Sequence, residues 1–468
     1  MITSLNMGIT YDKAIQIICG QARQDSNCFQ KPGETVPLEN AIGRITKYAY
    51  YSRECTPRWD TSAMDGYALN SDATRNASEA APVTFRIKGD IAAGDGPLTV
   101  AGDEDNGVHP CVGIATGARF PSIGSGKPFD CCVQLEHTKV VDEANGGKNY
   151  VQVFRPAKPH QNKRQAEEDF QVGMLVIGQH VVVRPQHVMA LASVGCETLT
   201  VLQTPRIGLF STGSELAGLD SSYPEAQRIP DVNRPYIQTK LESLGYHVDF
   251  LALIEDGPAI DVARKVTQCL LHKSYEIVIF TGAASAGKRD FVRNALEELG
   301  AHILLHKVAM RPGHPALFGT LSSLGATRLC LAGGFVPSSN IAVFGLPGNP
   351  VAAAACVQFL VMPYLHTLVS QPLNGTISAT IVNAGQRTVE NGACSEGPSI
   401  IARFPPDEDI FRAGKIINKW QPRLEVELIR DHSPSKIRPF LDSDCWIHIH
   451  REQTELHHGD IVDIVLLA

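Results

Sequence analysis

The sequence has no excess of positive charge. Its 42 Lys and Arg residues face 49 Asp and Glu residues, for a net charge of −7. General affinity for nucleic acid or an acidic membrane surface is therefore not expected, and an anionic ligand would need a local basic site. None of the twelve cysteines forms a CxxC pair, and their spacing is irregular. That pattern supports neither a zinc site nor a disulfide framework. Free thiols in a reducing cytoplasm are expected, with the adjacent Cys131 and Cys132 not bridging each other. The first twenty residues lack a basic segment followed by a long apolar stretch, so no signal peptide is expected. The most apolar helix candidate, Val351 to Leu365, is short and contains Gln358. It reads as a core helix, and no membrane span is expected. Neither GxGxxG nor GxxxxGK(S/T) occurs, so no phosphate loop is identified by spacing alone.

A chain of 468 residues with 43% hydrophobic content is too long for one core, and two to four domains are expected. Residues 10–50 read as helical, through YDKAIQIICGQA and PLENAIGRITKYAY. Residues 51–160 hold short β-prone runs such as VTFRIKGDIAAG and FDCCVQLEHTKVV, punctuated by Gly, Pro and Asp. Residues 161–204 suggest a return to the first domain, so 1–50 and 161–204 are read together as an N-terminal linking domain around a β-rich domain at 51–160. Between 205 and 367 apolar runs alternate with helical patterns: RIGLFS, VDFLALI, EIVIF, ILLHKVAM and IAVFG as strands, with helices between them. This predicts a doubly wound α/β sheet with parallel strands. Residues 368–468 are β-rich again and predict a small barrel or sandwich.

In an open parallel sheet, ligands bind outside the carboxyl ends of the strands. Four Gly-containing loops follow the predicted strands: STGSEL, TGAASAGKRD, RPGHP and LPGNP. Glycines there let backbone N–H groups approach a ligand, and helix N-termini favour anions. Arg289, Lys307 and Arg311 add positive charge. The loops together predict an elongated, phosphate-bearing ligand. Each alone reads equally well as a turn or a helix cap.

RWDTSAMDGYAL (Arg58 to Leu69) resembles the SAMDGYA signature of the MoeA and gephyrin E-domain family. IATGARFP, NKRQAEEDF, STGSEL, DVNRPYIQ, TGAASAGKRDF, KVAMRPGHP and FGLPGNPV follow in the family's order. The resemblance covers about Tyr11 to Leu365 and weakens beyond. It implies a MogA-like α/β domain and the last step of molybdenum cofactor synthesis: molybdate enters adenylylated molybdopterin, AMP is released, and Mg2+ is used. It also implies a cytoplasmic homodimer whose active sites lie between subunits. A MogA-like adenylyltransferase domain or protein would be a partner, and molybdoenzymes the cofactor's recipients. A binding or scaffold homologue without catalysis is the alternative reading.

The resemblance assigns roles residue by residue. Asp290, Asp231 and Asp65 would be catalytic, with Asp290, Asp231 and Asp60 holding metal. Ser211, Thr212, Gly213, Gly282, Ser285 and Gly287 would bind the pterin phosphate. So would Pro312, Gly313, Pro347, Gly348 and Asn349. Lys307 and Arg311 would neutralise phosphate or molybdate. Thr116 and Glu168, with Asp60 and Asp65, would enter the partner's site. Each also has a plain reading: Asp231 as a cap before the Pro235 helix, the others as turns or surface charges. Several positions depart from the family pattern. Ala283, Ala284 and Lys288 alter the TGGVSxGDxD loop, Ala352 stands where serine is common, and Glu167 stands at a usual glycine. The C-terminal QxS…ANG pattern is not recognisable, with Ser435 as a candidate replacement for its serine. His448 and His450 share one face of a strand, and His457 and His458 are adjacent. Exposed strand positions are the expected reading there, ahead of a metal site.

Overall fold

Alternation of β-branched and aromatic residues along EIVIF sends side chains to two opposite cores, and the larger half of the molecule is built on that strand. In this computed structural model the described residues are 8–28, 33–101, 107–141, 149–217, 229–271, 273–282, 291–322, 340–373, 375–383, 400–418 and 423–467. The chain divides into two units. One comprises Met1–Glu34, Gly43–Ile45 and Val201–Ala468; the other comprises Thr35–Ile42 and Thr46–Thr200.

The first unit contains a six-stranded sheet in the order His247–Ile254, Arg206–Thr212, Ile277–Thr281, Ile341–Leu346, Leu317–Leu321, Ala301–His306. The first four strands are parallel. Ile277 and Ile279 join a core with the helix beginning at Pro350, while Val278 and Phe280 join another under helices Ala259–Leu270 and Phe291–Glu298. Phe210 and Phe280 stack at 4.9 Å between ring centres, each burial contributing about 1.5–3 kcal/mol. The doubly wound α/β reading holds, with two corrections. Leu317–Leu321, not foreseen, runs antiparallel between Ile341–Leu346 and Ala301–His306, so that Ala301–His306 keeps the direction of the four parallel strands. ILLHKVAM is not one strand: it breaks at Lys307, whose φ of +68° leaves the extended region. Val308–Arg311 then crosses into a different sheet.

That second sheet is the C-terminal one. Asp409–Asn418 pairs with both Leu424–Leu428 and Cys445–Ile449. The ring is completed by Ile377–Ile381 and Ile461–Leu466, which gives a closed, barrel-like sheet. Val308–Arg311 and Ile9–Thr10 extend it through Asp409–Asn418. Helix Tyr11–Cys28 follows, but PLENAIGRITKYAY is not helical. It forms one 3-10 turn at Leu38–Asn40, then extended chain, with Gly43 at φ +77° and β-branched Ile45 and Thr46 beyond it. Pro350–Leu368 is the one described helix long and apolar enough to cross a membrane. It lies instead in the first unit's core, and Gln358 sits in a π-helical turn at Val357–Val361.

The second unit is centred on six strands in the order Cys131–Gln134, Gly66–Leu69, His109–Ile114, Val83–Ile91, Tyr150–Val153, Thr138–Val141. Both faces of this sheet are covered. Leu69, Cys111 and Cys131 join one core and Ala68, Val112 and Cys132 the other, so the adjacent cysteines point apart. Every described cysteine with a placed side chain is a free thiol.

Candidate functional site

Three loops leave the carboxyl ends of neighbouring parallel strands, at Thr212–Gly213, Thr281–Gly282 and Leu346–Asn349. Side chains and backbone tie them into one frame. Thr212 Oγ1 donates to the Thr281 carbonyl (2.9 Å), and Gly282 N–H donates to the Leu346 carbonyl (3.0 Å). Asn233 Nδ2 donates to Thr281 Oγ1 (3.0 Å) and to the Gly348 carbonyl (2.8 Å). Gly282 has φ +85°, and a Cβ there would lie 2.4 Å from the Thr212 carbonyl oxygen, so only glycine fits.

The loops wall a cleft of about 660 Å³ lined by Thr212, Asp231, Asn233, Gly282, Gly348 and Asn349, among others. Asp231 is buried. One carboxylate oxygen accepts from the Ser211 hydroxyl, and the other accepts the Arg234 N–H at 3.1 Å. The carboxylate thus caps helix Asn233–Glu242 while still bordering the cleft. Ser211 stands behind it, fully buried. Gly213 makes the turn after its strand at φ +129°. Glu215 and Ser435 also line the cleft. Glu215 was not singled out in the sequence, although it lies in the same STGSEL loop.

A second cleft of about 670 Å³ shares Pro315, Pro347 and Asn349 with the first. Arg311, Pro312 and Gly313 line it, as do Arg403, Arg412 and His432 from the C-terminal sheet and its loops. RPGHP therefore reaches the site from the barrel-like sheet, not from the α/β sheet. Arg311 pairs with buried Glu408. Arg412 donates from Nη2 to the Ile429 carbonyl at 3.4 Å, and its buried Nε has no hydrogen-bond partner among the described residues. Burial, and then the nearby Arg412 charge, pull His432 down to a pKa of about 4, so it is neutral at pH 7. Ala352 also lines this cleft. Arg403, Arg412, His432 and Glu408 lie where the sequence showed no recognisable motif, and nothing in their spacing marks them.

Lys307 lines neither cleft; it occupies the turn between two strands. Ser285, Gly287 and Asp290, with the altered Ala283–Lys288 loop and Arg289, lie outside the described residues. Asp60, Asp65, Thr116 and Glu168 belong to the other unit. Asp65 Oδ1 accepts from Thr116 N–H (2.7 Å) and Oγ1 (3.0 Å), which lowers its pKa. Burial would raise the Asp60 pKa, but Lys163 at 2.8 Å and the Ala166 N–H at 2.9 Å outweigh it and lower it. Glu168 accepts from Arg164 (2.8 Å) and the Gln165 N–H (2.9 Å), and its pKa is lowered too.

Known proteins resemble this chain in sequence and fold. Residues 9–195 match the MoeA N-terminal region (domains I and II), and residues 208–367 match a probable molybdopterin binding domain. The molybdopterin molybdenumtransferase of Synechococcus elongatus is 30% identical over 359 residues, 77% of this chain and 80% of that protein. The Bacillus subtilis enzyme of the same name is 28% identical, over 77% of this chain and 74% of its own length. In fold the chain resembles a solved molybdopterin biosynthesis MoeA protein from Pyrococcus horikosii. The TM-score is 0.69 at 22% identity, and the match covers 98% of this chain and 99% of that one. The chain belongs to the molybdopterin molybdenumtransferase (MoeA) family.

Proposed function

We propose that this protein inserts molybdate into adenylylated molybdopterin, releasing AMP and molybdenum cofactor. One observation carries the reading: the loop cleft at the strand ends opens beside a second, arginine-lined cleft, and the two share Pro315, Pro347 and Asn349. The first suits an elongated phosphorylated ligand, since exposed loop backbone and a helix start line it. The second suits a small oxyanion, since Arg412 brings a buried donor with no partner among the described residues. Together they would hold a pterin phosphate and molybdate side by side.

Mg2+ takes oxygen ligands, usually one or two carboxylates together with substrate phosphates. The first cleft supplies Asp231 and Glu215 of that chemistry. Bound there, the ion would offset phosphoryl charge. Asp231 is also held in place by Ser211 and the Arg234 N–H, so its orientation is fixed before any ligand arrives. Asp290 is the further carboxylate proposed on family resemblance. The same resemblance motivates a cytoplasmic homodimer in which Asp60, Asp65, Thr116 and Glu168 of one subunit face the cleft of the other. It likewise makes a MogA-like adenylyltransferase the supplier and molybdoenzymes the recipients.

The test is AMP release from adenylylated molybdopterin by purified protein, with Mg2+ and with or without molybdate. Molybdate-dependent AMP release that falls at least tenfold in Asp231→Asn is expected. Ligand binding without AMP release would instead establish a non-catalytic pterin-binding homologue.

A further inference from the structure

Asp409 lies on the strand that borders the second cleft, but on its reverse side. Its neighbours Glu408 and Ile410 line that cleft, and alternation along the strand turns Asp409 the other way. There it meets His448 and His450, which share one face because they are two residues apart. His448 Nε2 lies 2.8 Å from Asp409 Oδ1, and His450 Nδ1 lies 4.0 Å from the same oxygen. All three donor atoms fall within 4.8 Å of one another. Tetrahedral ligands about 2.0–2.1 Å from a zinc ion are roughly 3.3 Å apart, so small side-chain shifts would close this set around one ion.

We propose that Asp409, His448 and His450 form a binding site for a divalent transition metal of the Zn2+ class. Two imidazoles and one carboxylate suit that class, and three protein ligands leave a fourth position for water. A plain His–Asp hydrogen bond accounts for His448 but not for the rest. The other nitrogen of His450, Nε2, is held by Asp463 at 3.2 Å. Metal-bound histidines take this arrangement, one nitrogen turned to the metal and the other fixed by a carboxylate. Asp463 sits opposite His448 in the strand register, so the sheet builds the support as well as the ligands. His448 and Asp409 are buried and His450 is exposed, which leaves the site a route to solvent. His448 also stacks on Phe411 at 4.5 Å, which restricts its ring plane. Arg451, which follows His450 in the chain, is turned to Glu452 (3.0 Å) and Asp12 (3.5 Å).

The site does not depend on the molybdopterin reading. It is tested on untagged full-length protein titrated with Zn2+ by calorimetry in millimolar Mg2+, with Co2+ as a spectroscopic probe. One Zn2+ per chain is expected, and Co2+ should give the visible bands of a low-coordinate site. His450→Ala changes an exposed residue and should keep the fold while weakening Zn2+ binding at least tenfold. Asp463→Asn should weaken it about tenfold through loss of the outer carboxylate. Unchanged Zn2+ affinity in His450→Ala, or no Zn2+ bound by the wild type, would overturn the proposal. Equal thermal stabilisation by Zn2+ of the wild type and a His448→Gln, His450→Ala double variant would overturn it as well.

Discussion

The SAMDGYA loop of the second unit and the arginine-lined cleft of the first treat polar groups in opposite ways. In the loop, polar groups close on their own chain. Ser62 Oγ donates to the Met64 carbonyl, Asp65 takes both Thr116 donors, and Asp60 is held by Lys163 and the Ala166 N–H. In the cleft, Arg412 Nε is buried with no described partner, and His432, which feels the Arg412 charge, is held neutral. A satisfied set maintains a fold, whereas a buried donor left over is free to meet a ligand. The most recognisable signature in the sequence thus carries polar groups that are paired within their own unit, while the less recognisable C-terminal region holds a buried donor without a partner among the described residues.

The contrast breaks most sharply at Gly66. A Cβ there would lie 2.0 Å from the Val133 carbonyl oxygen, on backbone that cannot yield without parting the two paired strands. Gly66→Ala should cost about 3 kcal/mol or more. Urea unfolding and limited proteolysis would show it, with new cleavage confined to residues 46–200. Unchanged stability would mean that these two strands can part to admit a side chain. At the cleft the expectation is reversed. Arg412→Gln should weaken molybdate binding about tenfold or more, in line with a lost charge-assisted hydrogen bond, and leave the melting temperature unchanged or slightly raised. Calorimetric titration of molybdate beside a thermal melt separates the two. A stability loss with unaltered molybdate binding would make Arg412 a structural residue.

These two sites also mark how far the sequence could be read. EIVIF and RIGLF were legible because a buried parallel strand needs a continuous apolar run, and Gly282 because its loop follows such a strand. ILLHKVAM was misread, since its apolar pattern runs through Lys307 and only the φ of that residue shows the break. The arrival of RPGHP from another sheet follows from that break, and a local pattern cannot reveal it. Arg412, Glu408 and His432 were missed for a related reason. The cleft they line is assembled by pairings of Asp409–Asn418 with Val308–Arg311 and with Leu424–Leu428, and the first of these joins strands far apart in sequence. The helical reading of PLENAIGRITKYAY failed because spacing alone outweighed Gly43 and the β-branched residues after it.

The finest test of the comparison lies at Glu167, in the same unit as the SAMDGYA loop. Its φ is +67°, and its N–H donates to the Pro57 carbonyl at 3.0 Å, so the loop fixes a conformation that a side chain resists. Left-handed backbone costs a non-glycine residue about 1–2 kcal/mol, and glycine's extra freedom in the unfolded chain returns about 0.5–1 kcal/mol of that. Glu167→Gly should therefore stabilise the protein by up to about 1 kcal/mol, read as a higher urea midpoint with an unchanged slope. Glu167→Ala is the control. It removes the charge beside Glu168 and Asp169 but keeps the Cβ, so it should give no gain. If alanine stabilises as much as glycine, crowded carboxylates and not backbone conformation set the strain. The loop would then carry an unbalanced charge of its own, and its contrast with the cleft would narrow to the single donor on Arg412.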